Sequence, residues 1–370
     1  MNNLTTYFLI SIMVVAFCVL GVPLAHSSTT IEAQVTRNQS GLGECLISSG
    51  FPIPEGLVTH QLVSDRKLKV IVEGQEVPAN ISALRGRHHD GTVRSILIQF
   101  HYDLSEGESV PAQVIIDGGT RSNPDPEYQR PTKTIIEHNN VILPTNPDYI
   151  TSTDLTLRNL LPVGEGTAVE EKLYTDLARD RFENLNPSTT ASASYETVSA
   201  MLNLWARTGD LNFQKGALTK ILNWLPYNTP SCNSGCEEAD DVANPDCRSK
   251  DIGGACGASA EWHSARSLSY AHMYLLTGYR DFWGIVALMA QRNQSDITSQ
   301  SEADAGIIEK TGWDFPRYNY AKNYGLLLAA LQIDATIPVD GKYRTGRRYN
   351  WQDQLDWTLN AIKKQAWDLK

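Results

Sequence analysis

The chain has 370 residues, 41% hydrophobic and 20% charged, a balance that suits two cored domains and excludes wholesale disorder. Its formal net charge of −10 argues against nucleic acid as a partner, because phosphate binding needs clustered cations. An acidic polysaccharide would likewise need a locally basic cleft on an otherwise repelling surface.

Along the chain, an apolar run from Phe8 to Leu20 with small residues at Ala25 and Ser27 reads as a secretory signal, residues 1–27. The run approaches the length of a membrane span, and the first seven residues hold no Lys or Arg. An uncleaved N-terminal anchor is therefore the alternative. No other membrane contact is expected. A flexible segment, 28–44, follows. Export places the mature chain in the periplasm, at the cell surface or in the medium, where disulfides form.

Residues 45–145 have the alternation of strands. "LKVIVEGQEVPANISAL", "VRSILIQFHYDL" and "VPAQVIIDGG" are separated by Gly, Pro and Asp-Gly punctuation, which predicts a β-barrel or sandwich. Within it, "RGRHHDGTVRSILIQF" sets His88 and His89 before a strand. Neighbours in an extended segment point to opposite sides, so the two imidazoles are not expected to hold one ion. Asp90-Gly91 instead predicts a tight turn, with Ile96, Ile98 and Phe100 on one strand face beyond it.

Residues 146–165, rich in Pro, Asn and Thr, read as a linker. From 166 to 370 the apolar period becomes helical. "LWARTGDLNFQKGAL" and "MYLLTGYRDFWGIVAL" repeat a Thr-Gly followed by Phe four residues after the Gly. Gly209 and Gly278 are expected to cap one helix and turn into the next, building stacked α/α hairpins. Between these helices, Cys232, Cys236, Cys247 and Cys256 crowd one loop. Their spacing does not fit a zinc site, and two disulfides in one of three pairings are expected, with Cys45 left over. Carboxylates at Glu237, Glu238, Asp240, Asp241 and Asp246 supply oxygens of the kind Ca²⁺ takes. They lack EF-hand spacing, however, so solvated loop charge is the better reading and no cofactor is expected.

The stretch "SGFPIPEGLV" followed by "VPANISALRGRHHDGTVRSILIQF" resembles the N-terminal RIFT-barrel domain of the YetA-like, exo-rhamnogalacturonan lyase-like family. The positions that carry the likeness are Gly50, Phe51, Pro52 and Gly56, then Arg85 and Asp90-Gly91-Thr92; the family's Arg-Trp spelling is here "RGRHH". The resemblance implies a RIFT-like barrel over 45–145 and an α/α toroid over 166–370. It also implies a polysaccharide lyase that cleaves a uronate-containing glycan by β-elimination. The chain supplies fewer helices than a closed toroid, so a partial one is expected.

β-Elimination needs a base for the C5 proton, a cation for the carboxylate and an acid for the leaving oxygen. In "AEWHSARSLSYAHMY" these roles fall to His263, Arg266 and Tyr270, with Glu261 and Trp262 beside them for binding. "GWDFPRYNYAKNYG" offers Trp313, Asp314, Arg317, Tyr318, Tyr320 and Asn323, a mixture of aromatic faces and polar groups suited to sugars. Tyr195 and Glu196 open a further helix. A glycoside hydrolase, the third reading, would have to draw its carboxylate pair from Glu196, Glu261 and Asp314. The second reading is a non-catalytic glycan-binding or matrix protein of the same fold. HExxH, GxSxG and Gly-rich phosphate loops are missing from the sequence, which sets aside zincin, serine-hydrolase and nucleotide chemistry.

Overall fold

The computed structural model describes residues 28–153, 155, 160–176, 179–180, 197–228, 267–283 and 360. Within them strands come first and helices after. Strands β1 (Thr29–Thr36), β3 (Leu68–Val72), β4 (Gln75–Val77), β7 (Ser109–Ile116) and β8 (Val141–Pro144) form an antiparallel sheet in the order β4-β3-β7-β1-β8. A second sheet, β2-β6-β5, is built from β2 (Glu44–Pro52), β5 (Asn80–Ala83) and β6 (Ser95–Asp103).

The alternation of side chains closes the two sheets over one core. Ile31, Ala33 and Val35 of β1 stand opposite Val114, Ala112 and Val110 of β7, and all six are buried. Ile47 and Phe51 of β2 and Ile96, Ile98 and Phe100 of β6 enter the same core from the second sheet. Each such side chain contributes about 1.5–3 kcal/mol on leaving water. The segment 28–44, read from sequence as flexible, is corrected here: β1 is an inner strand, hydrogen-bonded to β7 on one side and β8 on the other.

The smaller sheet is buried on its other face too. The pairs Gly50–Leu97 and Pro52–Ser95 point away from the Phe51–Ile96 side, toward the helices. A Cβ on Gly50 would lie 2.1 Å from the Leu275 carbonyl oxygen, so the missing side chain is what lets a helix backbone rest on the strand. That helix is α7 (Ser267–Thr277), with α5 (Thr197–Thr208) and α6 (Leu211–Asn228) preceding it. The Leu275 carbonyl belongs to the last turn, where no intrahelical donor reaches it. Ser95 Oγ donates to it at 2.6 Å.

Leu84, Leu97, Val141 and Leu143 of the strand region share a second core with Trp205, Phe213, Tyr270 and Phe282 of the helical region. The described residues of 146–165 are therefore no free linker between separate units. Asn146 caps α3 (Pro147–Ser152), accepting from the amides of Asp148 and Tyr149, and Ile150, Leu155 and Leu160 enter that second core. An Asn cap with Pro at the first helical position is a helix start, and this one is short enough to look like loop.

Both Thr-Gly joints form as the repeat predicts. α5 ends at Thr208 and α7 at Thr277, with Gly209 and Gly278 left-handed at φ 71° and 68°. Gly209 N donates to Trp205 O at 2.7 Å and Gly278 N to Tyr274 O at 2.8 Å, the single bond of a left-handed cap. Thr208 and Thr277 hydroxyls each donate back to the carbonyl four residues earlier, at 2.6 and 2.7 Å. Phe213 and Phe282 are both buried. The signal, 1–27, and the cysteine loop with Cys232, Cys236, Cys247 and Cys256 lie outside the described residues. Cys45 is a buried free thiol whose pKa burial pushes up.

Candidate functional site

The hairpin of residues 84–93 answers the question raised by its two histidines. His88 N donates to Thr92 O at 2.9 Å and Gly91 N to His88 O at 3.0 Å, with Gly91 at φ 84°. Asp90 Oδ1 accepts from the amide and the hydroxyl of Thr92 at 2.9 and 2.6 Å, and the Thr92 hydroxyl oxygen accepts from Gly56 N. These bonds from Thr92 hold the Asp90 carboxyl below its ordinary value. His88 is 4% exposed, and its Nε2 lies 2.7 Å from Ile53 O. Burial lowers its pKa more than that bond raises it. The turn is thus a strapped support, and His88 and His89 face opposite ways, one buried and one exposed.

The base of this hairpin meets the second Thr-Gly joint. Arg85 N donates to Tyr274 Oη at 3.1 Å, and the Arg85 guanidinium lies over the Trp283 ring, 4.6 Å from its centroid. Tyr274 is buried, and burial pushes its phenol up against the pull of the Arg85 amide and the Arg85 and Arg280 guanidinium groups. Tyr128, 45% exposed, is within electrostatic reach of the same phenol. The irregular segment that carries Tyr128 and Arg130 is fixed by Gln99, whose side chain donates to Gln129 O at 2.6 Å and accepts from Gln129 N at 3.1 Å.

The result is a corner where Arg85 and Arg280 are exposed beside Tyr274, with Trp283 under Arg85 and Tyr128 within electrostatic reach. On a chain of net charge −10 these two guanidinium groups bring positive charge to the joint, beside Asp281. The Arg85 guanidinium has no carboxylate partner or hydrogen-bond acceptor among the described residues. A guanidinium held over an indole keeps its N–H donors in its own plane, where they can grip a planar anion in two-point fashion. The half-buried aromatic rings beside it offer apolar faces of the kind that pack on sugar C–H groups. No described helix is long and apolar enough to cross a membrane, and no described cluster of His, Cys, Asp and Glu could hold a metal ion.

Of the residues expected to carry function, Tyr270 is described, and it is corrected: it is fully buried, its ring 5.8 Å from that of Phe282. A general acid must reach the leaving oxygen of a glycan, and a side chain in the second core does not. Glu261, Trp262, His263, Arg266, Tyr195, Glu196, Trp313, Asp314, Arg317, Tyr318, Tyr320 and Asn323 lie outside the described residues. The corner itself was missed because its parts come from three distant stretches. The one available signal was Arg85, already singled out beside Asp90-Gly91, together with Arg280 and Trp283 three apart after a turn. Comparison of the chain with family models, curated proteins and solved structures returns no match.

Proposed function

We propose that this is a secreted carbohydrate-binding protein that holds an acidic, uronate-containing glycan at the Arg85–Trp283 corner, on a RIFT-like β module joined to a partial α/α toroid. The observation that carries this reading is Arg85, stacked 4.6 Å over Trp283 with its in-plane donors unclaimed by any described carboxylate. Its guanidinium pairs with the uronate carboxylate while Trp283 and Tyr128 lie against the apolar side of the ring. The test is calorimetric titration with an oligogalacturonate against a neutral glucan oligomer of equal length. The acidic oligomer binds and the neutral one does not, with affinity falling as salt rises. Equal binding of both, or of neither, overturns the proposal.

The lyase reading is second. What favours it is the position of His263 and Arg266 in the stretch immediately before α7, the helix whose far end builds the corner. With Tyr270 in the core, base and clamp would need a different acid. Ultraviolet absorbance of an unsaturated uronate product, followed for an acidic polysaccharide and again with His263→Ala, tests it. A flat trace on every acidic polysaccharide leaves binding alone.

A further inference from the structure

The hairpin that supplies Arg85 continues as an alternating row. Leu84, Gly86 and His88 are buried, while Arg85, Arg87 and His89 are exposed. Each inward group has a structural reason. Leu84 joins the second core; Gly86 takes φ 112°, which a side chain would resist; and His88 Nε2 is tied to Ile53 O at 2.7 Å. Arg87 pairs with Val93 across the hairpin, fixing which way it faces. Three cationic or polar donors are thereby exposed in succession along a strapped backbone. Neighbours in the row are no more than about 7 Å apart at the backbone, the reach of two residues.

His60, at the start of α1 (His60–Ser64), flanks the row: burial and then the charge of Arg87 lower its pKa. Two carboxylates lie at the far end. Asp90 is committed to Thr92, and Glu55 Oε1 accepts from Asp90 N at 3.3 Å. Arg87, like Arg85, makes no side-chain ion pair or hydrogen bond among the described residues.

Resting on the acidic-glycan reading of the corner, we infer that the site is a track for a chain of several anionic sugars. One unit sits at Arg85–Trp283, and the next lies along Arg87 toward His89. A monosaccharide fills only the corner; an oligomer adds the Arg87 contact without a second loss of translational freedom, so affinity climbs with length. One Trp stack beside a row of donors suits a sugar chain, whose apolar ring face packs on the indole while its carboxylates meet the row.

The experiment compares galacturonic acid with its linear oligomer on the whole chain, as native protein, Arg87→Gln and Arg87→Lys. Arg87 is exposed, so the variants leave the fold intact, which thermal unfolding verifies. Native protein is expected to bind the oligomer more tightly than the monomer. Arg87→Gln is expected to weaken oligomer binding about tenfold, the worth of one charge-assisted contact, and to leave monomer binding alone. Arg87→Lys restores part of the gain. If Arg87→Gln binds the oligomer as native protein does, the track is overturned while the corner stands. If neither ligand binds, both readings fall. Equal binding of a single-stranded DNA oligomer of matched charge also overturns the track, by making it a generic polyanion surface.

Discussion

The two Thr-Gly joints share a backbone and differ in use. At both, the glycine is left-handed, its amide closes on the carbonyl four residues back, and a Phe four residues on is buried. Five residues after the first glycine stands Gln214, whose buried amide exchanges hydrogen bonds with Asn139 at 3.4 Å in each direction. Five residues after the second stands Trp283, which meets Arg85. Two residues before the first glycine, the buried Arg207 is paired with Glu171; two before the second is the buried Leu276. Both joints dock helices on the strand module. At the first, Arg207 pairs with Glu171 and Gln214 with Asn139, whereas at the second the Arg85 guanidinium has no acceptor among the described residues. A buried polar pair satisfied within the fold has no donor left for a ligand, whereas an exposed donor without an acceptor has one.

The largest test of that contrast is steric. A Cβ on Gly209 would meet the Thr145 carbonyl oxygen at 2.0 Å, but one on Gly278 would meet only side-chain carbons of Leu97, Leu84 and Pro131, at 3.1–3.4 Å. Both alanines also suffer the left-handed penalty of roughly 1–2 kcal/mol. Urea unfolding should give Gly209→Ala a loss of about 3 kcal/mol or more, since backbone overlap adds to the strain, and Gly278→Ala about half that. Equal losses would erase the difference between the joints.

Gln214→Leu comes next. It strands the Asn139 amide in the interior and should cost about 1–3 kcal/mol, with glycan affinity unchanged. Trp283→Leu should weaken glycan binding strongly, and because the indole also packs against the second core it should carry a stability cost of its own. A matching effect of both on binding would deny that only one joint is functional.

How much of this was readable in the sequence follows from the range of the interactions. The joints were legible because a cap is local: Thr-Gly and a Phe four residues on describe the whole bond pattern. The order of strands before helices was legible from the change of period at the end of the strand region. β1 was missed although Ile31, Ala33 and Val35 alternate, because Thr, Glu and Gln between them dilute a pattern that only pairing with β7 and β8 makes decisive. α3 was missed because six residues carry little periodicity. Tyr270 was placed on a polar face by spacing alone, yet its neighbours in space, Phe282 among them, make that face core. The corner was illegible because Arg85 and Trp283 are remote in sequence, and Arg85 took its place in the fold motif before any partner was visible.

The smallest expected effect is on acid sensitivity at the first joint. Burial works to raise the Glu171 carboxyl, but the amides of Gly164 and Gly166, the Arg207 charge and the Thr175 hydroxyl bring it below its ordinary value. A carboxyl lowered in the folded state stabilises fully above the unfolded Glu pKa of about 4.3, and that stabilisation fades as pH falls through the folded value. Glu171→Gln should therefore flatten the loss of stability on acidification below about pH 4. Gly278→Ala, which keeps the Glu171–Arg207 pair in place, should leave the acid limb as steep as in the native protein. An unchanged limb in Glu171→Gln would remove the ion pair from the account of the first joint.

The central claim is that a β-hairpin and a helical joint make one acidic-glycan site, and a double-mutant cycle on affinity tests it most directly. Arg85→Gln, Trp283→Leu and the double variant are titrated with the oligogalacturonate. If the stacked pair acts as a unit, each single change removes most of the binding, and the double variant is scarcely weaker than either. If either single variant binds as tightly as the native chain, the two regions do not share a site.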